Sequence, residues 1–170
     1  LGVVSLTYCP QHRLLVSAGF DHEALVWSPF GSSVLYKLKG HNSSLVGVKQ
    51  MGGPSSNELL TADVNGVFKV WDIRTFQCLQ TFEGENKSMA SFCYVPPTEK
   101  RTALAIAANK FLYFFERDAP AGHGVLSLTD DQPVTHVRCS VLRESIFSVS
   151  GCAVKEWAAQ TGELKREFRD

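Results

Sequence analysis

Leu59-Leu60-Thr61-Ala62-Asp63-Val64-Asn65-Gly66-Val67-Phe68-Lys69-Val70-Trp71-Asp72 is a β-hairpin in outline. A short apolar run, Leu59-Leu60-Thr61, suits a strand buried on both faces. Val64-Asn65-Gly66 follows with residue types that accept the backbone angles of a tight turn. Val67 to Trp71 then alternates into an aromatic residue. The same hairpin recurs outward in both directions, because Trp27, Trp71, Phe115 and Trp157 stand 44, 44 and 42 residues apart.

A period in the low forties is the spacing of a four-stranded propeller blade, a unit that buries its faces by stacking on its neighbours. Four units fill the chain, at about residues 1–44, 45–88, 89–133 and 134–170, and we read them as one segment of a single domain. The first run of each places apolar residues at positions one, four and six: Val3, Leu6, Tyr8; Leu45, Val48 and then polar Gln50; Met89, Phe92, Tyr94; Val134, Val137, Cys139. Small or compact residues (Ser5, Gly47, Ser91, His136) precede the middle position, as a crowded innermost strand requires. The fourth runs, such as Val34 to Leu38 and Leu164 to Phe168, mix in polar residues and read as outer edge strands. No helical periodicity is sustained anywhere. The expectation is an all-β chain of four blades, each of four antiparallel strands.

Gly40-His41, Leu60-Thr61-Ala62, Asn65-Gly66 and Trp71-Asp72 together resemble a WD40 repeat, and the other three units resemble degraded copies of it. The resemblance implies a buried hydrogen-bonded tetrad of His, Ser or Thr, a turn acid and Trp. In the second unit these are His41, Thr61, Asn65 and Trp71, with an amide in place of the carboxylate; in the first, Ser17, Asp21 and Trp27. The third unit has Ala105, Asn109 and Phe115 with Gly84-Glu85 in place of Gly-His; the fourth keeps Ser148 and Trp157, has a turn one residue shorter, and places Asp130-Asp131 in the His region. These are structural residues, and His41 with Asp21 is not a catalytic pair. Ser17 to His22, Leu38 to Asn42 and Trp71 to Cys78 are also similar to EF-hand-associated WD-repeat proteins of cilia, flagella and protist cytoskeleton, although no EF-hand loop occurs. That likeness implies a cytoplasmic protein, cytoskeletal or ciliary in placement.

Seventeen basic and seventeen acidic residues balance, so no long-range field draws in nucleic acid or an anionic membrane, and neither is expected as a partner. No stretch approaches ~20 consecutive apolar residues. Cys9, Cys78, Cys93, Cys139 and Cys152 are odd in number and widely spaced, and read as reduced packing thiols of an intracellular protein. Asn42-Ser43-Ser44 and Asn86-Lys87-Ser88 match the glycosylation pattern, but no apolar signal segment precedes them. His12 follows Cys9 by three residues with Pro10 between, and reads as solvated beside a packed thiol; no second pair completes a metal site. No phosphate loop, His-Glu-x-x-His or Gly-x-Ser-x-Gly occurs, so neither an enzyme nor a cofactor is expected.

The expected function is a protein-interaction scaffold. Its binding surface is the loop face carrying Phe20, His22, Glu23, Asn42, Ser43, Val64, Lys110 and Asp131, since loops on a rigid scaffold carry recognition and aromatics such as Phe20 anchor it. The alternative is a substrate receptor of a cullin-type ubiquitin ligase: Leu59 to Arg74 fits the Trp-Asp-x-Arg docking box, in which Asp72 and Arg74 make the contact; against it stands a local pairing of Arg74 with an acid at the blade edge. WD40 rings close with seven or eight blades, which needs roughly 300 residues. The first reading is therefore a piece of a larger propeller with its missing blades in a parent chain, and the second is a homodimer completing an eight-bladed ring. Closure at four is disfavoured, because Tyr8, Phe92 and Tyr94 on the inner strands would crowd a narrow channel.

Overall fold

A bulge at the same place in every blade explains the offset of one, four and six. In a regular strand, side chains return to one face every second residue, so a step of three requires an extra residue. The computed structural model, which describes residues 2–52, 55–83, 89–98, 101–116, 124–129, 131–140, 142–159 and 161–169, has that extra residue in each innermost strand. Pairing shifts between Val3 and Ser5, Leu45 and Gly47, Met89 and Ser91, and Val134 and His136.

The chain forms two compact units, Leu1–Lys87 and Ser88–Asp170. The first holds β1 (Val3–Cys9), β2 (Leu14–Gly19), β3 (Ala24–Trp27) and β4 (Val34–Leu38) in one antiparallel sheet. Its second sheet contains β5 (Leu45–Gln50), β6 (Glu58–Asp63), β7 (Val67–Asp72) and β8 (Cys78–Glu83). The second unit repeats the plan with β9 (Met89–Thr98), β10 (Arg101–Ala108), β11 (Phe111–Glu116) and β12 (Gly124–Thr129), then β13 (Val134–Ser140), β14 (Ser145–Ser150), β15 (Ala153–Ala158) and β16 (Leu164–Arg169). All four sheets run in sequence order, as hairpins do. A second bulge recurs at the aromatic residue, where the outer strand carries one extra residue: Leu35, Leu79, Val125 and Lys165. Among the described residues no helix is long and apolar enough to cross a membrane.

Within the first unit the two sheets share one core. Cys9, Val16, Ala18, Ala24, Val26 and Leu38 from the first pack with Leu45, Val48, Leu59 and Trp71 from the second and with Ile73 in the turn after β7. Burying a Val or Leu side chain is worth about 1.5–3 kcal/mol, so this layer is the main adhesive between blades. The second unit has the corresponding layer, in which Cys93, Ala105, Ala107 and Leu112 meet Val134, Val137, Ile146 and Trp157. The small residue after the bulge has a further task. Ser5 Oγ accepts from the Val48 N–H (3.3 Å) and donates to the Val48 carbonyl (3.4 Å), and Ser91 Oγ accepts from the Val137 N–H (3.4 Å). A serine there ties one inner strand to the next.

The thiols divide. Cys9 and Cys93 are buried and Cys139 is half-buried, but Cys78 and Cys152 are exposed, which corrects the expectation that all five serve packing. Burial pushes the Cys9 thiol up to about 11. His12 is half-buried, and its Nε2 lies 2.8 Å from the Asn57 amide oxygen.

Candidate functional site

Thr61 and Asp63 lie two residues apart on β6 and so face the same way. Trp71 comes from β7, where Leu59 is its pairing partner, and His41 comes from the segment before β5. The Trp71 indole N–H donates to Thr61 Oγ1 (2.8 Å); Thr61 Oγ1 is 2.7 Å from His41 Nε2; His41 Nδ1 is 2.9 Å from Asp63 Oδ2. A carboxylate only accepts, so Nδ1 carries the proton and Nε2 accepts from the Thr61 hydroxyl. The chain of donors therefore runs from Trp71 through Thr61 to His41 and ends on Asp63. All four residues are buried. Burial lowers the His41 pKa against the opposing pull of Asp63, in keeping with a neutral ring.

Asp63, not Asn65, completes this network. Asn65 is exposed in the turn, and its contribution is a backbone N–H donated to Asp63 Oδ1 at 3.0 Å; the Val67 N–H donates to the same oxygen at 3.0 Å. A carboxylate therefore stands where the sequence reading placed an amide, and the N–H that His41 donates to it is a charge-assisted bond. The turn is closed by the Gly66 N–H to the Asp63 carbonyl at 3.1 Å, with Gly66 at φ 83. The signal for Asp63 was its two-residue offset from Thr61, which puts both side chains on one face.

In the first blade the Trp27 indole N–H donates to Ser17 Oγ (2.8 Å), but Asp21 is exposed and joins no such network. Gly19 occupies the place of Asp63, and a Cβ there would run into the Gly2 carbonyl. In the fourth, the Trp157 indole N–H donates to Ser148 Oγ (2.8 Å) across the shorter turn. The Phe115 side chain, Gly84-Glu85, Asn86 and Asp130 lie outside the described residues.

Hydrogen bonds gather the loops of the first unit at one end of its blades. Ser44 Oγ donates to the Phe20 carbonyl (3.3 Å), the Val64 N–H donates to the Ser44 carbonyl (3.0 Å), and the Phe20 N–H donates to the Gly2 carbonyl (3.3 Å). Phe20 remains 56% exposed, beside exposed His22 and Asn42 and half-buried Ser43 and Val64. Glu23 bridges Lys37 (3.3 Å) and Lys39 (3.7 Å). In the second unit Lys110 is exposed in the β10–β11 turn, and the Val134 N–H donates to the Asn109 carbonyl (2.7 Å) from the start of β13. Asp131, just before β13, lies 3.8 Å from Lys155 and 3.9 Å from Arg169.

Asp72 and Arg74 pair with each other. The Arg74 guanidinium donates to both carboxylate oxygens at 2.7 and 3.1 Å, and the Arg74 backbone N–H adds a third bond at 2.7 Å. The Arg74 side chain holds the Asp72 carboxyl down to about 2. Its contribution to stability is complete above the ordinary carboxylate range and is lost as pH falls through about 2. Among the described residues no cluster of three or more His, Cys, Asp or Glu side chains could hold a metal ion.

The WD40 family model (WD domain, G-beta repeat) matches residues 1–28 and 32–72. The chain is 31% identical to cilia- and flagella-associated protein 337 B of Tetrahymena thermophila over 99% of its own length and 13% of that protein. It is 26% identical to coatomer subunit beta'-2 of Arabidopsis thaliana over 55% of its length and 10% of that protein. It is 34% identical to the WD repeat-containing protein on Y chromosome of Drosophila grimshawi over 48% of its length and 7% of that protein. The chain therefore spans about an eighth or less of these relatives. With hairpins in sequence order, a recurring bulge at the aromatic residue and these likenesses in agreement, residues 1–28 and 32–72 carry WD40 repeats, and all four sheets are four-stranded blades of the WD40 β-propeller type.

Proposed function

We propose that this chain is a non-enzymatic scaffold that binds protein partners through the loops at the end of its blades, as a propeller segment within a larger WD-repeat protein. One observation carries the reading: Phe20 stands 56% exposed on a loop whose backbone is tied to Gly2 and Ser44, so an aromatic anchor is offered on a fixed support. His22, Glu23, Asn42, Ser43 and Val64 flank it in the first unit, and Lys110 and Asp131 hold the corresponding positions in the second.

The full-length likeness to a cilia- and flagella-associated protein favours a cytoskeletal or ciliary placement. Val3, Leu6 and Tyr8 are 63%, 54% and 49% exposed, whereas their counterparts Leu45 and Val48 are buried against the first blade. A further blade of a parent chain covers that face in our reading; a second copy completing a ring is the other occupant. The mutual pairing of Asp72 and Arg74 gives the ligase-box reading no support of its own.

The test is capture of protein partners by the immobilised chain against a Phe20→Ser, His22→Asp variant of unchanged melting temperature. Loss of a stoichiometric partner in the variant is expected. An identical captured set would refute the loop face as the binding surface.

A further inference from the structure

A groove of about 640 Å³ runs along the outer side of the first unit, between the outermost strand of the first blade and the turn after Trp71 in the second. Its apolar wall is Val34, Tyr36, Trp71 and Phe76. Tyr36 and Phe76 stack with ring centroids 4.6 Å apart and planes at 18°. Phe76 has φ 58, a left-handed backbone that a bulky side chain rarely adopts. The Phe76 N–H donates to the Asp72 carbonyl at 2.7 Å and the Asp72 N–H to the Gln77 carbonyl at 3.0 Å, so the turn is closed on both sides around that conformation. Strain of this kind clusters at sites of recognition, and here it turns an aromatic ring into the groove.

Two further features say what the groove fits. β4 ends its sheet and pairs with β3 and no other strand among the described residues, so one side of its backbone is open to an added strand. Lys37 and Lys39 stand at the groove with side chains 54% and 70% exposed and share the single carboxylate of Glu23. Among the described residues one positive charge is therefore left over at that end.

We propose that this groove docks an extended acidic protein segment. The segment adds its backbone to the open edge of β4, seats an aliphatic or aromatic side chain against Tyr36 and Phe76, and directs a carboxylate to Lys37 and Lys39. A lysine on an edge strand also serves to discourage unwanted pairing, and a purely protective lysine would favour no acidic partner. The groove is lined by the outer strand and not by the loop cluster, so it stands independently of the loop-face reading.

Exposed Cys78 lines the groove and gives the readout. The 170-residue chain carrying Cys152→Ser is equilibrated under partly reducing conditions with two disulfide-bearing hexapeptides. Both alternate leucine and threonine; one ends in two glutamates, the other in two lysines. Mass mapping measures the fraction of each joined to Cys78. The acidic peptide is expected to be captured about fivefold more, the scale of an exposed ion pair exchanged for a like-charge contact. Lys37→Gln with Lys39→Gln should abolish that preference, Tyr36→Ala should reduce capture of both peptides, and N-methylation of the acidic peptide's backbone should remove the advantage of pairing to β4. Equal capture of the two peptides by the parent chain, or a preference that survives the double lysine substitution, would overturn the proposal.

Discussion

Replacing Asp63 with Asn changes one atom of the buried network and tests which residue completes it. The carboxylate accepts three hydrogen bonds, from His41 Nδ1 at 2.9 Å and from the Asn65 and Val67 N–H groups at 3.0 Å each. An amide has one acceptor atom where the carboxylate has two. If its oxygen keeps the two backbone donors, its NH2 faces His41, and the ring proton must move to Nε2. The Thr61 hydroxyl must then turn toward the Lys69 carbonyl, 3.5 Å away, a poor bond. Bonds to an ionised group contribute about 1.5–3 kcal/mol and neutral ones about 0.5–1.5, and leaving a buried donor unmatched costs about 1–3. The sum for Asp63→Asn is a loss of about 2–3 kcal/mol. Urea unfolding followed by tryptophan fluorescence should show the midpoint falling by about 0.7–3 M, given a slope of about 1–3 kcal/mol per molar. Asn65→Ala, at an exposed side chain, should stay within about 0.5 kcal/mol of the parent. An Asp63→Asn variant as stable as the parent, or an Asn65→Ala variant that loses as much as Asp63→Asn, would refute the assignment.

Four other outcomes follow from the same geometry. The lowered His41 pKa means that its contribution to stability is complete above about pH 6.5 and is lost as pH falls through the folded value; as pH falls below about 6.5 the urea midpoint of the parent should drop more steeply than that of His41→Gln, and parallel curves would contradict this. Ser5→Ala removes both bonds to the Val48 backbone and should cost about 1–2 kcal/mol in the same assay. Val48→Ala should cost about 1.5–3 kcal/mol, whereas Leu6→Ala, its counterpart on an uncovered face, should cost less than about 0.5. Gly19→Ala should force the Gly2 carbonyl aside and break its bond to the Phe20 N–H, read as faster hydrogen exchange at that amide.

The sequence made the strands legible because each blade repeats one pattern of apolar runs and turns. Position one, four, six was visible as a pattern, but its cause was not: the bulge at Val4, Val46, Ala90 and Thr135 is a property of pairing between strands, and a single strand's sequence does not display it. Asp63 was misjudged for a related reason. The family template puts the acid in the turn, at Asn65, while strand alternation aims Asp63 at the face that Thr61 shares. Serine after the bulge reads as small; that it bonds the neighbouring blade needs the neighbour in place. The lateral groove was illegible altogether, since it joins β4 to a turn some forty residues away and depends on the left-handed backbone of Phe76.

Hydroxyl-radical footprinting of the chain, free and in complex with a captured protein partner, tests the scaffold reading most directly. Protection centred on Phe20 and His22, extending to Asn42, Ser43 and Val64 and leaving Trp71 unchanged, is the result this account requires. Protection confined to the outer strands or to the uncovered face of β1, with Phe20 and His22 reacting as in the free chain, would contradict it.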